Sequence, residues 1–263
     1  MDNETQDLLV SVSEGILTIK LNRPTEHNSL SQAMVLEMID VVTSAEHDPH
    51  VRCILITANG STFCSGGDLN SGPLTDPSAD IATLMEEGIN RLLITMERSP
   101  IPIICAVNGI AVGAGLGLAL AGDIVIASRS AELYPSFSRL GISLDGGTSY
   151  FFTEGAGLAR ATAMCLLADR ISSEEAHHAG LLWRIFDDDD LENEALNIAG
   201  RLAQRAPLAL AAIKAQLSDS VGGNLSSCLS REVRDMSRML KTEDFSEGLQ
   251  SFQEKRKPRF TGR

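Results

Sequence analysis

Alternating hydrophobic and polar residues predict β-strands in the first half of the chain. Residues 10–12 and Ile16–Leu21 flank a Glu-Gly pair at positions 14 and 15, an arrangement typical of a β-hairpin. Residues 51–58 and Ile103–Val107 form two further apolar runs, and each is followed by an Asn-Gly pair that favours a turn. We expect both runs to be strands that end in turns.

Apolar residues spaced three or four positions apart predict helices elsewhere. Ser31 precedes one such pattern, and residues 81–98 form another that ends before Pro100. A strand, turn and helix unit therefore recurs, which predicts an α/β fold. After the acidic run at residues 187–190, interpreted as a solvated loop or helix start, the predicted helices cover residues 191–205, 207–218, 225–240 and 245–255. We divide the chain near residue 200, into a core of residues 1–200 and a helical region of residues 201–263.

The composition disfavours several classes of partner. With 263 residues, of which 43% are apolar, the chain can bury a substantial core. A net charge of -13 repels nucleic acid and anionic lipid, so we expect neither a nucleic acid nor a membrane as partner. The basic tail, residues 255–263, is an exception that suits a small polyanion or is simply a solvated tail.

The cysteines and the first residues indicate a reduced, cytoplasmic protein. The five cysteines are odd in number and widely spaced, and they form no Cys-x-x-Cys pair. The first ten residues lack the basic and apolar regions of a secretory signal. The nearly uncharged stretch at residues 101–127 contains Pro102, Asn108, Asp123 and many glycines. We therefore interpret it as buried strands and a small-residue helix, not as a membrane span.

Several familiar site chemistries do not fit the sequence. The glycine-rich run at residues 113–118 has Leu118 where a dinucleotide-binding fingerprint needs its third glycine, and the chain has no Gly-Lys-Ser or Gly-Lys-Thr sequence. His177 and His178 are adjacent, so on a helix they point about 100° apart and suit a helix surface better than one metal ion. No metal site is predicted.

Two glycine-rich segments share one design. Residues 63–69 read Phe-Cys-Ser-Gly-Gly-Asp-Leu, and residues 108–115 read Asn-Gly-Ile-Ala-Val-Gly-Ala-Gly. Small residues let a ligand approach the backbone, and a following helix directs free N–H groups at a developing negative charge. Two such donors would form an oxyanion hole, although tight turns and close helix packing explain either segment alone equally well.

A lone acid, Asp145, stands further along the chain among glycines and hydrophobic residues. It is a candidate base beside the predicted hole. The alternative is that it caps the helix that follows Gly146-Gly147-Thr148. Apolar neighbours such as Phe137, Leu144 or Phe151 should raise its pKa.

The order and spacing of these segments resemble the crotonase superfamily, also called the enoyl-CoA hydratase/isomerase family, over nearly the whole chain. The resemblance is carried by Leu21-Asn22-Arg23-Pro24, Asn28-Ser29-Leu30, the two glycine segments, Asp123-Ile124, residues 141–148, Arg170-Ile171-Ser172, Glu175-Ala176, Ala179-Gly180-Leu181 and residues 252–262. It implies a spiral of ββα units, C-terminal helices that build homotrimers or homohexamers, and an acyl-CoA substrate. It implies no separate cofactor, because coenzyme A is part of the substrate.

The resemblance also implies roles for particular residues. The N–H groups of Ser65 and Ala114 would hold the thioester oxygen. The residues implied to contact coenzyme A are Arg23, Cys64, Asp68, Leu69 and, from a neighbouring subunit, Lys257 and Phe260. We expect residues 68–98 to line the acyl pocket.

The reaction depends on the acids of the site. Hydratases that resemble this chain carry two glutamates, at positions that are Gly117 and Phe137 here. Asp145 instead falls where isomerases of the family often place an acid, and the surrounding residues resemble the isomerases of phenylacetyl-CoA catabolism. We therefore favour a double-bond or epoxide isomerase with a single aspartate base. A hydratase with displaced acids, a hydrolase or dehalogenase in which Asp145 is the nucleophile, and a CoA-binding subunit without catalysis stay open as alternatives.

Overall fold

Two β-sheets and twelve α-helices make up the part of the chain described by a computed structural model, residues 6–68, 76 and 78–263. The strands are β1 (Leu8–Ser13), β2 (Ile16–Leu21), β3 (Cys53–Ala58), β4 (Thr62–Cys64), β5 (Ile103–Val107), β6 (Ile110–Val112), β7 (Ile124–Ser128), β8 (Glu132–Tyr134), β9 (Ile171–Ser172) and β10 (Arg184–Phe186). The helices are α1 (Gln32–Ala45), α2 (Ile81–Met85), α3 (Arg91–Arg98), α4 (Ala114–Leu120), α5 (Phe137–Leu140), α6 (Thr148–Ala156), α7 (Leu158–Leu167), α8 (Ser173–Ala179), α9 (Leu191–Ala203), α10 (Pro207–Ser220), α11 (Leu225–Met239) and α12 (Glu243–Gln253).

From β3 to β8, consecutive strands alternate between the two sheets, so that one strand–strand–helix unit follows another. The larger sheet has the order β1-β2-β3-β5-β7-β10, and the smaller sheet has the order β4-β6-β8-β9. The β1–β2 hairpin is antiparallel, whereas β2, β3, β5, β7 and β10 pair in parallel. Each pair β3–β4, β5–β6 and β7–β8 leaves the larger sheet for the smaller one. This is the spiral of ββα units that the resemblance implies.

The strands predicted from the sequence are confirmed, and the packing explains why two of them are continuously apolar. β3 is covered on both faces, so its successive side chains enter two different hydrophobic clusters. Ile54 and Ile56 belong to the main core with α1, whereas Cys53 and Leu55 pack against α9 on the other face. Because both faces are covered along residues 53–56, this part of the strand has no polar positions to alternate with its apolar ones, and the polar residue Thr57 follows where burial is less complete.

The predicted helices are also present, with one irregularity. Ser31 caps α1 by accepting a hydrogen bond from the Met34 N–H at 3.1 Å. Residues 81–98 form α2 and α3, separated by a π-helical turn at residues 86–90, where Gly88 leaves helical backbone angles (φ -99°, ψ -107°). The acidic run at residues 187–190 is a loop before α9, as predicted. The boundary placed near residue 200 falls within α9, and the division into two regions stays a prediction.

Asn28 holds the loop that follows β2 against β4. The residue is fully buried and has a left-handed backbone (φ 52°), a conformation that asparagine tolerates better than most residues. Its Oδ1 accepts from the Arg23 N–H at 2.8 Å, and its Nδ2 donates to the carbonyl oxygens of Asn59 at 2.9 Å and Thr62 at 2.7 Å. Since buried polar groups are costly unless paired, this network fixes the loop in one position beside the functional region.

The C-terminal helices are less buried than the core. α11 contains no buried residue and exposes an apolar stripe along one face. The residues of this stripe are Leu225, Leu229, Val233, Met236 and Leu240. In the described residues, no helix combines the length and the hydropathy needed to cross a membrane.

Candidate active site

A cavity of about 450 Å³ lies at the ends of β4 and β6. Its walls come from the loop after β2, the segment after β4, α2, the start of α4 and residues 136–145. The apolar residues that line it are Leu30, Val35, Ile81, Leu84, Met85, Ile89, Val112, Phe137, Leu140 and Ile142. Asp68 and α2 lie in this wall, as expected for residues 68–98, and the cavity suits an apolar ligand with a polar end.

The peptide after Gly66, not the N–H of Ser65, offers a free donor to this cavity. The Ser65 N–H is already occupied, because it donates to the His27 carbonyl at 3.1 Å. The Gly66 carbonyl accepts from the Leu30 N–H at 2.8 Å. Because the C=O and N–H of a trans peptide point in opposite directions, the Gly67 N–H points away from Leu30. Gly67 lines the cavity, and its N–H has no hydrogen-bond partner in the described part of the chain. The role of Ser65 as an oxyanion donor stays a prediction; in this structure its N–H is paired with His27, and Gly67 is the candidate whose N–H is free among the described residues.

The second candidate donor is at the start of α4. Ala114 is the first residue of this helix, so its N–H has no acceptor within the helix, and the residue before it supplies no side-chain cap. A Cβ added to Gly66 would lie 3.2 Å from the Ala114 nitrogen, and one added to Gly115 would lie 2.4 Å from the Cys64 carbonyl oxygen. The missing side chains thus let α4 pack backbone to backbone against the segment of Gly67. The role of Ala114 as a donor stays a prediction.

Asp145 lines the same cavity. Its Oδ1 atom is buried and has no hydrogen-bond partner among the described residues. Burial raises the pKa of Asp145 to about 6, in the direction predicted. The alternative role as a helix cap is wrong: the residue that caps α6 is Gly147, and the Thr148 N–H donates at 3.0 Å to the main-chain carbonyl of Asp145, not to its side chain. The carboxylate is therefore left to face the cavity.

Neither position at which hydratases carry a glutamate holds an acid. Phe137 is buried and lines the cavity, and Gly117 is buried within α4. Of the described residues that line the cavity, two are carboxylates, Asp68 and Asp145. Asp68 lies 3.9 Å from the guanidinium group of Arg23, which leaves Asp145 as the candidate base.

Arg23 lies at the polar edge of the cavity and is held by several partners. It donates to the Ser29 carbonyl at 2.7 Å, and its Nε lies 3.6 Å from the Asp7 carboxylate. Cys64 is fully buried, and burial raises the pKa of its thiol to about 12, so the side chain packs as a neutral group. The contacts of Arg23, Cys64 and Asp68 with coenzyme A stay predictions. Leu69 lies outside the described residues.

Lys257 and Phe260 lie away from the cavity of their own chain. The Arg52 guanidinium donates to the Phe260 carbonyl at 2.5 Å, and Asp244 accepts from the N–H groups of the two residues that follow Phe260. Arg52 immediately precedes β3, whose six residues extend about 20 Å before the chain turns toward the cavity. Within one chain, the structure therefore does not bring the tail and the cavity together.

Two adjacent histidines lie on the surface of one helix. His177 and His178 are exposed on α8, as predicted. Among the described residues, no three His, Cys, Asp or Glu side chains are placed to hold a metal ion. The expectation of a reaction without metal or separate cofactor stays a prediction.

Known proteins resemble this chain over nearly its full length. Residues 11–263 match the family model described as "Enoyl-CoA hydratase/isomerase". The chain is 38% identical over 259 residues to "1,2-epoxyphenylacetyl-CoA isomerase" of Escherichia coli, covering 97% of this chain and 98% of the relative. It is 38% identical over 252 residues to "Probable enoyl-CoA hydratase" of Rhodobacter capsulatus, covering 96% of each. A crystal structure of an enoyl-CoA hydratase from Bacillus anthracis superposes with a TM-score of 0.94 at 31% identity, covering 98% of this chain and 100% of that one.

The raised pKa of Asp145 predicts a pH-dependent cost to stability. Folding disfavours the charged carboxylate, so the cost is absent below about pH 4, grows between about pH 4 and 6, and is constant above that. We expect Asp145→Asn to gain stability relative to the unchanged protein over this interval. The free energy of unfolding in urea, measured for both proteins between about pH 4 and 8, checks it. Asp188→Asn is the control of opposite sign, because hydrogen bonds from Ser130 lower the pKa of Asp188. The prediction would be contradicted if the free energy of unfolding changed with pH in the same way for Asp145→Asn and for the unchanged protein.

Proposed function

The chain belongs to the enoyl-CoA hydratase/isomerase family, and we propose that it shifts a carbon–carbon double bond in an acyl-CoA thioester with Asp145 as its single base. The observation that carries the proposal is the position of a buried carboxylate oxygen of Asp145 in the same cavity as two N–H groups, all three without a hydrogen-bond partner among the described residues. Those groups belong to Gly67 and Ala114. A base and an oxyanion hole are the two parts that a proton transfer next to a thioester requires.

The proposed reaction has two proton transfers. Asp145 removes a proton from C2 of a 3-enoyl thioester, and the electron pair of the broken C–H bond spreads into a dienolate. The negative charge develops on the thioester oxygen, where the N–H groups of Gly67 and Ala114 donate to it. Asp145 then returns the proton at C4, so the double bond moves from C3–C4 to C2–C3. No atom is gained or lost.

The environment of Asp145 supports this use. A carboxylate with a pKa near 6 is mostly ionised at neutral pH, yet it is a stronger base than an exposed aspartate. The absence of carboxylates at Gly117 and Phe137 argues against a hydratase with the usual pair of acids. A dehalogenase needs a base beside its nucleophile, and no histidine lines the cavity among the described residues. The epoxide isomerase named above supports an isomerase, and the probable hydratase keeps hydration as the second candidate.

We also propose that the chain works as a homotrimer or homohexamer. The exposed apolar stripe of α11 supports self-association, because a helix face of this kind is stabilised when it is covered. If Lys257 and Phe260 contact coenzyme A, they do so at the cavity of a neighbouring chain, since they lie away from their own.

Asp145→Asn should abolish most of the isomerisation. We expect kcat/KM for 3-hexenoyl-CoA to fall by about 10² to 10⁴, since the base is lost while the shape of the site is kept. For the unchanged protein, kcat/KM should rise with pH through about 6 and then level off, because the reactive form is the carboxylate. Absorbance and mass of the thioester report the reaction, and Asp189→Asn, in the exposed acidic loop, is the control expected to be unchanged.

Three outcomes would overturn the proposed reaction. Isomerisation that survives Asp145→Asn would remove Asp145 as the sole base. A gain of one water by 2-hexenoyl-CoA, faster than isomerisation, would favour the hydratase. Tight binding of coenzyme A without turnover of either thioester would favour a subunit without catalysis.

Ala114→Pro should remove one oxyanion donor and leave the helix intact. Proline has no N–H and is well tolerated at the first position of a helix, the position that Ala114 occupies. We expect kcat to fall by about 10² to 10³. Ala114→Gly keeps the N–H and is the matched control, which should keep most of the activity. Equal activities of the two variants would show that this N–H does not act in the reaction.

The cavity also predicts an uncharged acyl group. Residues 69–90 contain no Lys, Arg or His, and they include four acids, Asp76, Asp80, Glu86 and Glu87. Arg23, the basic residue in the described cavity lining, is already paired with acids. A carboxylate at the far end of the acyl chain would therefore be desolvated without a cation to pair with.

We expect kcat/KM for the thioester of 3-hexenedioic acid to be at least about 100-fold below that for 3-hexenoyl-CoA, because an unpaired buried charge costs several kcal/mol. Steady-state kinetics with the two thioesters measure the ratio. Leu84→Arg places a cation in the cavity wall and should reduce the difference in kcat/KM between the two thioesters. Leu84→Met, which adds no charge, should leave that difference unchanged. Similar values for both thioesters in the unchanged protein would contradict an apolar site.

A further inference from the structure

We propose that Gly117 is a positioning residue for the base, because the absence of a side chain there lets the segment of Asp145 pack directly on α4. This inference rests on the proposed isomerase function. Gly117 touches neither the cavity nor, by its position, any substrate atom, so its effect on the reaction would pass through Gly146 to Asp145.

The contact between Gly117 and Gly146 has no room for any side chain. A Cβ added to Gly117 would lie 1.8 Å from the carbonyl oxygen and 2.7 Å from the carbonyl carbon of Gly146. Both distances are far shorter than van der Waals contact, and both involve backbone atoms that cannot rotate away. Any residue other than glycine at 117 must therefore move the segment that contains Gly146.

A second contact extends the same packing toward the oxyanion hole. A Cβ added to Gly146 would lie 3.1 Å from the Ala114 Cα. Ala114 and Gly117 are three residues apart and so lie on one face of α4. Residues 145–147 therefore run along this face, next to the helix end that offers the Ala114 N–H.

The tight turn after Asp145 means that a displacement of Gly146 also displaces Asp145. Gly146 and Gly147 have φ values of +52° and +68°, a left-handed conformation that glycine adopts at little cost. The turn is closed by the hydrogen bond from the Thr148 N–H to the Asp145 carbonyl at 3.0 Å. Because the turn is tight, a displacement of Gly146 away from α4 would move the Asp145 carboxylate with it.

The contact between Gly117 and Gly146 also decides whether an acid can stand at position 117 as well as at position 145. A glutamate at position 117 and the observed path of residues 145–147 would occupy the same space. In this chain, the position of the segment that carries Asp145 therefore leaves no room for an acid at position 117 of α4. We expect that Gly117→Glu lowers isomerisation and creates no hydratase activity, because it displaces the existing base without building the second acid of a pair.

The test compares Gly117→Ala with Gly200→Ala. Gly200 lies in α9, and a Cβ added there meets no atom within 4 Å, so this control should keep full activity. For Gly117→Ala we expect kcat to fall by about 100-fold, as for a catalytic group misplaced by about 1 Å, with KM changed far less. The apparent pKa of the kcat/KM profile should also fall toward that of an ordinary aspartate, because the displaced carboxylate is less buried.

A longer side chain should compensate for the displacement. Asp145→Glu alone should lower kcat, whereas Asp145→Glu combined with Gly117→Ala should be more active than either single variant. If Gly117→Ala does not fold, Gly146→Ala disturbs the packing of the same segment on α4, here against Ala114, and should also lower kcat more than it raises KM. Unchanged kcat in Gly117→Ala, or equal losses in kcat and in coenzyme A binding, would overturn the positioning role.

The outcomes also separate this inference from the proposed function. If Asp145→Asn is inactive while Gly117→Ala is as active as the unchanged protein, the single-base reaction stands and the role of Gly117 is wrong. If Asp145→Asn keeps its isomerase activity, the proposed function itself fails.

Discussion

The site depends on close backbone contacts between residues 109–117, which include β6 and the first turn of α4, and two neighbouring segments. Cβ atoms added at Gly109, Gly115 and Gly117 would lie 2.1, 2.4 and 1.8 Å from backbone carbonyl oxygens of those segments. Such approaches are possible for glycine alone, because every other residue carries a Cβ. They bring the end of β4, the start of α4 and the segment of Asp145 into one small volume. The two free N–H groups and the carboxylate thus converge through the packing of the main chain, which side-chain rotation cannot disturb.

The electrostatics of the site follow from the same packing. Asp145 is half-buried in a cavity lined mainly by apolar side chains, and its buried Oδ1 has no hydrogen-bond partner among the described residues, so its charged form is disfavoured in the folded protein. That cost is what makes the group a useful base, since its affinity for a proton is raised toward neutral pH. The N–H groups proposed as donors line the same mainly apolar cavity, where a hydrogen bond to a developing negative charge is stronger than in water. The burial of Asp145 therefore lowers the stability of the folded protein and, at the same time, makes this residue a better base for the proposed reaction.

Much of the fold could be predicted from the sequence, because hydrophobic periodicity and capping residues act locally. The hairpin, β3, β5, α1 and the C-terminal helices were predictable on this basis, and the cap at Ser31 is the one expected. The site was predictable only in outline. Ser65 and Gly67 lie close together in a small-residue segment. Which of their N–H groups is free depends on the backbone conformation of Gly66 (φ +87°), and a Ser-Gly-Gly sequence does not determine that conformation. The importance of Gly117 likewise depends on a residue 29 positions away, Gly146, and no local pattern reports such a contact.

The chemistry and the choice of acyl group rest on parts of the fold with different rigidity. The N–H donors and Asp145 belong to segments fixed by backbone contacts in the core. The acyl wall is formed in part by α2, a five-residue helix without a buried residue, which joins the buried helix α3 through the irregular turn at Gly88. A segment with few buried contacts opens or shifts at a low cost in free energy. Substitutions in α2 can therefore change which acyl chain fits, while the proposed base and oxyanion donors, which lie on other segments of the cavity wall, keep their positions.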